Sequence, residues 1–584
     1  MPLSLFQPYV RSWFESTFER VTPPQAQAWP QIALGNNTLI FSPTGSGKTL
    51  AAFLACLNDL FRMGEEGLLR DQVYVLYVSP LKALNNDIQK NLLEPLRGIR
   101  EHAERMGLQL PVVRSMVRTG DTPQRERQAM ARKPPHVLIT TPESLFIILA
   151  TQRFRLAFED VRYVIVDEIH ALCDNKRGVH LSVSLERLQH AVGREFVRIG
   201  CSATQRPLEE IARFLVGVGR ECAVVDVGGR KNLDVKAVSP VDNLAESMMD
   251  AIWSSCYDRV LQEVHANKTT LIFTNSRYKT ERTALRLNEL EQYRAEGEPA
   301  RIGAHHGSMS KEHRLEMEDK LKSGELDALV ATSSLELGID VGFIDSVIQL
   351  DSTKSVSTGL QRIGRAGHLL DATSKGRLIA LDRDDLIECA VTVRAIMQGD
   401  LDRTRIPQNC LDVIAQHVVG AVAAQTWDPD ELLTLFRRSH CYRDFPTEDY
   451  YRVLEMLAAN YSFHLDQPPF EKLNWDKINR VLSPARSTRS IAFRACGTIP
   501  DEASYDVTLE AKDKRVGRLD EMFVNELRPG DIFVLGSTAW KVKGFRQNKV
   551  LVEDVYGTAP TIPLWMGARM SRTKDLGELV GRFR

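Results

Sequence analysis

Short runs of β-branched and apolar residues punctuate the first part of the chain: TLIF, VYVLYVS, HVLITT, VRYVIVDE and VRIGCSA, between Asn37 and about Val225. Longer stretches with apolar positions at helical spacing separate them. Runs that are apolar throughout, not alternating, suit strands buried on both faces, so the pattern predicts a parallel sheet with crossover helices. A second series, TTLIFTN, ARIGAHH, LDALVATSS, SVIQLD and GRLIALD, predicts a second α/β domain in tandem. Gly228 to Val241, with glycines, lysines and a proline but no period, reads as the linker.

After Asp382 the period is helical, as in NCLDVIAQHVVGAVAA and DELLTLFRRS, until near Tyr461. Leu411, Ile414 and Val418 there form an apolar stripe, which predicts a packed helical domain. Beyond Ser483 the runs SIAFRA, YDVTLEA, LRPGDIFVLG, AWKVKGF and KVLVEDV read as short strands of a small antiparallel barrel or sandwich. The expected division is 1–225, 226–384, 385–470 and 471–584, in keeping with a length of 584 residues at ~150 per domain.

Composition narrows this little. Hydrophobic residues at 43% and charged residues at 26% exclude wholesale disorder. Lys plus Arg number 75 and Asp plus Glu 76, a net charge of −1, so a polyanion must meet a local groove and not a basic surface at large. The nine cysteines are scattered without C-x-x-C spacing, which suits buried thiols of a reducing compartment and neither a zinc site nor a disulfide frame. No apolar run approaches the ~18 residues that span a bilayer, and the first residues lack a secretory pattern. A cytoplasmic protein without a membrane partner is expected.

The strongest chemical signal is Ser42-Pro43-Thr44-Gly45-Ser46-Gly47-Lys48-Thr49, between the strand run TLIF and the helical run LAAFLACL. Strand, glycine-rich loop and helix N-terminus form a phosphate cradle in which Lys48 reaches the β- and γ-phosphates and the Thr49 hydroxyl ligates Mg²⁺. Ser42 stands where the pattern has its first glycine. A second apolar run, Val164-Ile165-Val166, ends in Asp167 and Glu168. At a strand's C-terminal end Asp167 can hold Mg²⁺ and Glu168 can deprotonate the attacking water, so hydrolysis is expected.

Asp167-Glu168-Ile169-His170 is a DExH box, and with Lys48 the chain resembles superfamily 2 helicases and translocases, which have two RecA-like domains. The resemblance implies ATP and Mg²⁺ as cofactors, with ATP bound by Gln25, Thr44, Gly45, Ser46, Gly47, Lys48, Thr49, Gly338 and Asp340. By the same resemblance Thr49 and Asp167 hold the metal, His170, Ser202 and Thr204 couple nucleotide state to domain closure, and Gln361, Arg362 and Arg365 of Gln361-Arg362-Ile363-Gly364-Arg365-Ala366-Gly367-His368 join Lys48, Asp167 and Glu168 in catalysis. A guanidinium suits that role because it meets the charge that γ-phosphate cleavage spreads. The family's strand-holding loops match segments with Ser79, Lys82, Thr119, Gly120, Thr141, Thr274, Arg277 and Thr332, whose hydroxyls, amides and cations suit phosphates read without sequence.

Lys176-Arg177-Gly178, the run from Asn409 to His417 and Cys496-Gly497-Thr498-Ile499-Pro500 are similar to the large helicase-related (Lhr) group. That likeness implies a winged-helix domain in the helical region and a β-rich domain, with a 3′–5′ translocase and helicase on single-stranded or tailed duplex DNA or RNA:DNA hybrid, serving DNA repair. Trp540 and Trp565 are the candidate stacking residues among the cations of the last domain; Trp540 as a core residue is the equal alternative. Two rival functions stay open: an RNA helicase of the DExH kind, and an ATP-gated clamp that does not travel. Members of the group continue through a further helical region, whereas this chain stops at Arg584, so a fragment or a shortened form is expected.

Overall fold

The computed structural model describes residues 2–43, 45–80, 88–151, 155–203, 205–228, 232–294, 299–336, 342–367, 373–459, 470–497, 504–512, 514–555, 561–563 and 571–584. Two compact units emerge, one of residues 1–42, 46–228 and 403–499, the other of 43–45, 229–402 and 500–584. Among the described residues the strands form four sheets.

In the first unit, β1 (Thr38–Phe41), β2 (Val75–Val78), β3 (Ser115–Arg118), β4 (Val137–Thr140), β5 (Tyr163–Val166), β6 (Val197–Ser202) and β7 (Ala223–Asp226) make one parallel sheet in the order β3-β4-β2-β5-β6-β1-β7. Its central strands are buried along their length, which is why the sequence shows continuous apolar runs. One face packs on Trp29, Phe53 and Leu57, the other on Leu145, Phe158, Leu185 and Phe214.

The helices Leu411–Ala424, Pro429–Arg437 and Thr447–Leu457, followed by the hairpin of β14 (Asn474–Asp476) and β15 (Val481–Ser483), share this second core. The expected stripe is shifted. Leu411 is half exposed, while Val413, Ile414, His417, Val418, Ala421 and Val422 are buried because the helix packs on more than one neighbour. SIAFRA, expected as a strand, lies in the helix Thr488–Arg494. The Thr488 hydroxyl holds its start between the Ala485 amide (2.7 Å) and the Lys472 carbonyl (2.6 Å), and buried Ala492 lets it approach the core. Tertiary contacts override the strand propensity of the run.

The second unit contains β8 (Leu233–Val238), β9 (Thr270–Phe273), β10 (Ile302–His305), β11 (Ala328–Ala331), β12 (Ser346–Leu350) and β13 (Ser374–Ile379), parallel in the order β10-β11-β9-β12-β13-β8. The helix Arg383–Gln398 packs on this sheet and receives the helix Lys574–Phe583 through Leu576 and Val580. The last sheet comprises β16 (Ser504–Leu509), β17 (Lys514–Asp520), β18 (Ile532–Leu535), β19 (Thr538–Arg546) and β20 (Lys549–Asp554), in the order β17-β16-β20-β19-β18. It is mixed, not antiparallel throughout as expected, because β16 and β20 run parallel. Its edge strand β17 is not left open: the Arg518 amide donates to the Ser308 carbonyl (2.7 Å) and the Ser310 amide to the Val516 carbonyl (2.9 Å).

Candidate functional site

The phosphate loop leaves β1 and enters the helix Lys48–Glu65 with Gly45 at φ 84° and Gly47 at φ 82°. Gly47 has two reasons to lack a side chain, its left-handed φ and the Gln25 amide nitrogen, which would lie 2.7 Å from a Cβ. Gln25 is buried and braces the loop: its Oε1 accepts from the Thr22 amide (2.9 Å), and the Thr22 hydroxyl donates to the Ser46 carbonyl (2.9 Å). Ser42, the departure from the glycine pattern, has a use of its own. Its carbonyl accepts from Lys48 Nζ (2.7 Å) and its hydroxyl bonds that of Ser46.

Thr49 and Asp167, far apart in the chain, come together, with Thr49 Oγ1 donating to Asp167 Oδ2 (3.0 Å). The Tyr77 hydroxyl donates to the same oxygen (2.6 Å) and the Glu168 amide to Oδ1 (2.8 Å). Burial, and then the neighbouring Glu168 charge, push the Asp167 carboxyl up from its ordinary pKa. A hydroxyl and a carboxylate are hard oxygen donors, and so small a protein set fits Mg²⁺, which takes its remaining ligands from phosphate and water. No cluster of three or more His, Cys, Asp or Glu side chains occurs among the described residues to suggest a different metal.

Glu168 sits at φ 46°, in the left-handed region that costs a non-glycine residue of order 1 kcal/mol or more. This turns its carboxylate toward His170, whose Nε2 lies 3.4 Å from Glu168 Oε2. His170 Nδ1 accepts from the Ala203 amide (3.1 Å), so the ring proton is on Nε2 and faces Glu168. One chain of contacts thus runs from the Glu168 carboxylate to the segment Ser202–Ala203 after β6. Ser202 is buried there, and Thr204 lies outside the described residues.

Ser79, Thr119–Gly120 and Thr141 follow β2, β3 and β4, which are adjacent in the sheet and in register at their C-terminal ends (Arg118 and Val78 both opposite Thr140). The expected strand-contact loops therefore form one row beside the strand that ends at Asp167. Gly120 is exposed, and Arg127 holds the carbonyls of Gly120 (2.7 Å) and Thr119 (3.2 Å). The side chains of Ser79, Thr119 and Thr141 are buried; Thr141 caps the helix Pro142–Leu149 by accepting from the Ser144 amide (3.4 Å). Lys82 lies outside the described residues.

In the second unit Thr274 and Thr332 follow the neighbouring strands β9 and β11. Thr274 is fully buried, its hydroxyl bonded to the Ser276 carbonyl (3.0 Å) and the Thr280 hydroxyl (2.7 Å), which corrects its assignment as a side-chain contact to a strand. Thr332 is partly exposed, and Arg277 Nη1 lies 3.4 Å from Asp520. Arg362, expected in catalysis, is built into the interior of its own domain. Only 1% of its side chain is exposed, with Nε on Glu336 Oε2 (2.9 Å), Nη1 on Gln349 Oε1 (2.7 Å) and Asn275 Oδ1 (3.2 Å), and its plane over Phe273. Arg365 donates from Nε and Nη2 to the Glu336 carbonyl (3.1 and 2.7 Å), and Gln361 is partly exposed on the helix Val356–Ile363. Gly338 and Asp340 lie outside the described residues.

Trp540 is corrected as well: it is 7% exposed, in the core of the last sheet, with its indole N–H on the Leu535 carbonyl (3.0 Å). Trp565 lies outside the described residues. Sequence reasoning missed Tyr77, hidden as one more apolar-run residue of β2, and Glu336, whose carboxylate and carbonyl hold both arginines.

A phosphate loop and DExH strand end on one parallel α/β domain, with an arginine-bearing helix on a second, define a helicase-type ATPase. Residues 22–211 match the DEAD/DEAH box helicase family and residues 254–369 the helicase conserved C-terminal domain. Residues 394–562 match the large helicase-related protein winged helix domain. The ATP-dependent helicase Lhr-Core of Methanocaldococcus jannaschii is 47% identical over 98% of this chain and 66% of its own length. That of Methanothermobacter thermautotrophicus is 46% identical over 100% of this chain and 67% of its own. The structure of Mycobacterium smegmatis helicase Lhr bound to ssDNA and AMP-PNP matches with a TM-score of 0.78 and 42% identity, over 92% of this chain and 68% of that one. The chain belongs to the Lhr family of ATP-dependent helicases, with two RecA-like domains, a winged-helix domain and a curled C-terminal sheet, and spans about two thirds of the length of these archaeal relatives.

Proposed function

We propose that the chain is an ATP-driven 3′–5′ single-strand translocase that unwinds DNA or RNA:DNA hybrid, acting in DNA repair in the cytoplasm. The observation that carries this reading is the row of strand ends in the first domain: nucleotide residues after β1, β5 and β6, and loops suited to a sugar–phosphate backbone after β2, β3 and β4. The Mycobacterium smegmatis relative, whose structure holds ssDNA and AMP-PNP, supports it.

Chemically, Lys48 Nζ exchanges the Ser42 carbonyl for the β- and γ-phosphates. Thr49 and Asp167 would hold Mg²⁺, which when bound neutralises phosphate charge. Glu168 takes the proton of the attacking water, and the His170 Nε2–H steadies the carboxylate that accepts it. Arg365 offers the planar cation for charge developing on the γ-phosphate. Strand contact falls mainly to loop amides such as Gly120, to Thr332 and to Arg277, since the neighbouring hydroxyls are buried.

Unwinding of 3′-tailed and 5′-tailed duplexes, each with DNA or RNA as the displaced strand, tests the reading. Activity is expected on 3′ tails with either displaced strand; a 5′ preference or unwinding confined to RNA tails overturns it. Glu168→Gln is expected to lower strand-stimulated ATP turnover by ~10²-fold or more without loss of ATP binding. Streptavidin displacement from a biotinylated strand end separates a travelling motor from a static clamp, which leaves the block in place.

A further inference from the structure

The DExH segment and the expected strand-contact loops are joined by Arg177, a side chain to which no role has been given so far. The DExH segment continues into the short helix His170–Cys173, and the helix Lys176–Val192 starts directly after it. Asn175 caps that second helix: its Oδ1 accepts from the amides of Arg177 (3.1 Å) and Gly178 (3.3 Å), and its Nδ2 donates to the Ala171 carbonyl (2.8 Å). The junction has no slack, because a Cβ on Gly178 would lie 1.8 Å from the Leu172 carbonyl oxygen. The backbone of Arg177 is therefore placed by the segment that carries Glu168 and His170.

Its guanidinium reaches two other loops. Nη2 donates to the Pro80 carbonyl (2.9 Å) in the loop after β2, and Nε donates to Glu143 Oε1 (2.7 Å) in the first turn of the helix that Thr141 caps after β4. Burial alone would push the Glu143 carboxyl up, and the Arg177 guanidinium holds it below the ordinary carboxylate range. Next to it, Lys176 Nζ bonds Asp412 of the helical domain (2.8 Å). Two directed bonds from one plane set a distance as well as a charge, which an ammonium cannot do.

We propose that Arg177 is a positioning residue: it fixes the spacing of the strand-contact loops after β2 and β4 and ties that spacing to the DExH segment. This rests on the reading of those loops as backbone contacts given above. Nε and Nη2 both face protein oxygens, and in this role Arg177 works through the loops and not by neutralising a phosphate.

The test titrates ATP hydrolysis by the full chain with a single-stranded oligothymidylate, for the wild type, Arg177→Gln and Arg177→Lys. The strand concentration for half-maximal stimulation is expected to rise about tenfold in Arg177→Gln, the equivalent of losing roughly one charge-assisted bond. The strand-independent rate and the KM for ATP stay at wild-type values, and Arg177→Lys restores little, because charge without the planar fork does not reset the spacing. The dependence of strand binding on salt keeps its wild-type slope; a slope reduced by about one would make Arg177 a direct phosphate ligand and overturn the positioning role. An unshifted half-maximum, or full rescue by lysine, also overturns it. Where Arg177→Gln does not fold, the same shift is read from Arg177→Lys. A wild type indifferent to single-stranded DNA removes the strand-contact reading and this proposal together, whereas a stimulated wild type beside an unshifted variant removes the proposal alone.

Discussion

Arg362 and Arg365 stand one helical turn apart and do different work. Arg362 spends its donors on Glu336, Gln349 and Asn275 in the interior of its own domain, whereas Arg365 bonds the Glu336 main-chain carbonyl. Removing a buried cation strands its partner charge, so Arg362→Ala is expected to destabilise the second domain by ~3–5 kcal/mol, read as an early urea transition. Arg365→Ala is expected to cut ATP turnover by on the order of 10² and, since Arg365 is buried too but bonds a main-chain carbonyl and not a carboxylate, to move that transition by less than Arg362→Ala does. The reverse pattern would exchange their roles. Ser42 teaches a related lesson at the same scale: a departure from a motif is absorbed when the substitute's carbonyl and hydroxyl find partners in Lys48 and Ser46.

Elements meet where side chains have been removed to let them. β17 lies on the loop 308–310 because Gly517 leaves room: a Cβ there would stand 2.5 Å from the Ser308 carbonyl oxygen and 2.6 Å from Leu535. Around the same junction Glu281, wholly buried, accepts from His306 (2.8 Å) and from the amides of Gly536 and Ser537. Gly517→Ala is expected to cost about 1–3 kcal/mol in chemical denaturation. Gly544→Ala, in β19 with nothing within 4 Å of its Cβ, serves as the control and is expected to be nearly neutral. Equal effects of the two would show that the close approach is not what binds the sheet to its neighbour.

Over the whole first unit, the helical domain is held to the α/β domain by a buried polar seam. His180 and His417 pack at a ring separation of 4.4 Å against Phe146, and Arg187 donates to the Gly420 carbonyl (2.8 Å). Burial lowers both histidines, His180 to about 4; at His180 the Glu143 charge opposes this and Arg187 adds to it by less, and at His417 the neighbouring His180 and then Arg187 lower it further. Their folded-state pKa lies below the unfolded value of about 6.5, so protons bind the unfolded chain first. The stability of this unit is therefore expected to be complete above pH ~6.5 and to fall as the pH drops from there toward 4. A melting temperature followed from pH 7.5 to 5 checks it, and His180→Gln, which does not titrate, should flatten the curve; an unchanged slope would place the acid sensitivity elsewhere.

What the amino-acid order determined alone were features that depend on near neighbours. Apolar runs marked the strands of both parallel sheets, since a strand buried on two faces can carry little else, and Gly45 to Thr49 and Asp167–Glu168 marked the strand ends where chemistry collects. What only the tertiary structure decided were the partners. That Tyr77 would point its hydroxyl at Asp167, that Glu336 would claim Arg362, that Thr274 and Trp540 would face inward, and that SIAFRA would coil follows from packing between segments distant in the chain. Local pattern cannot encode this, because a threonine or tryptophan at a strand end has the same propensity whether its side chain meets solvent, a ligand or the core.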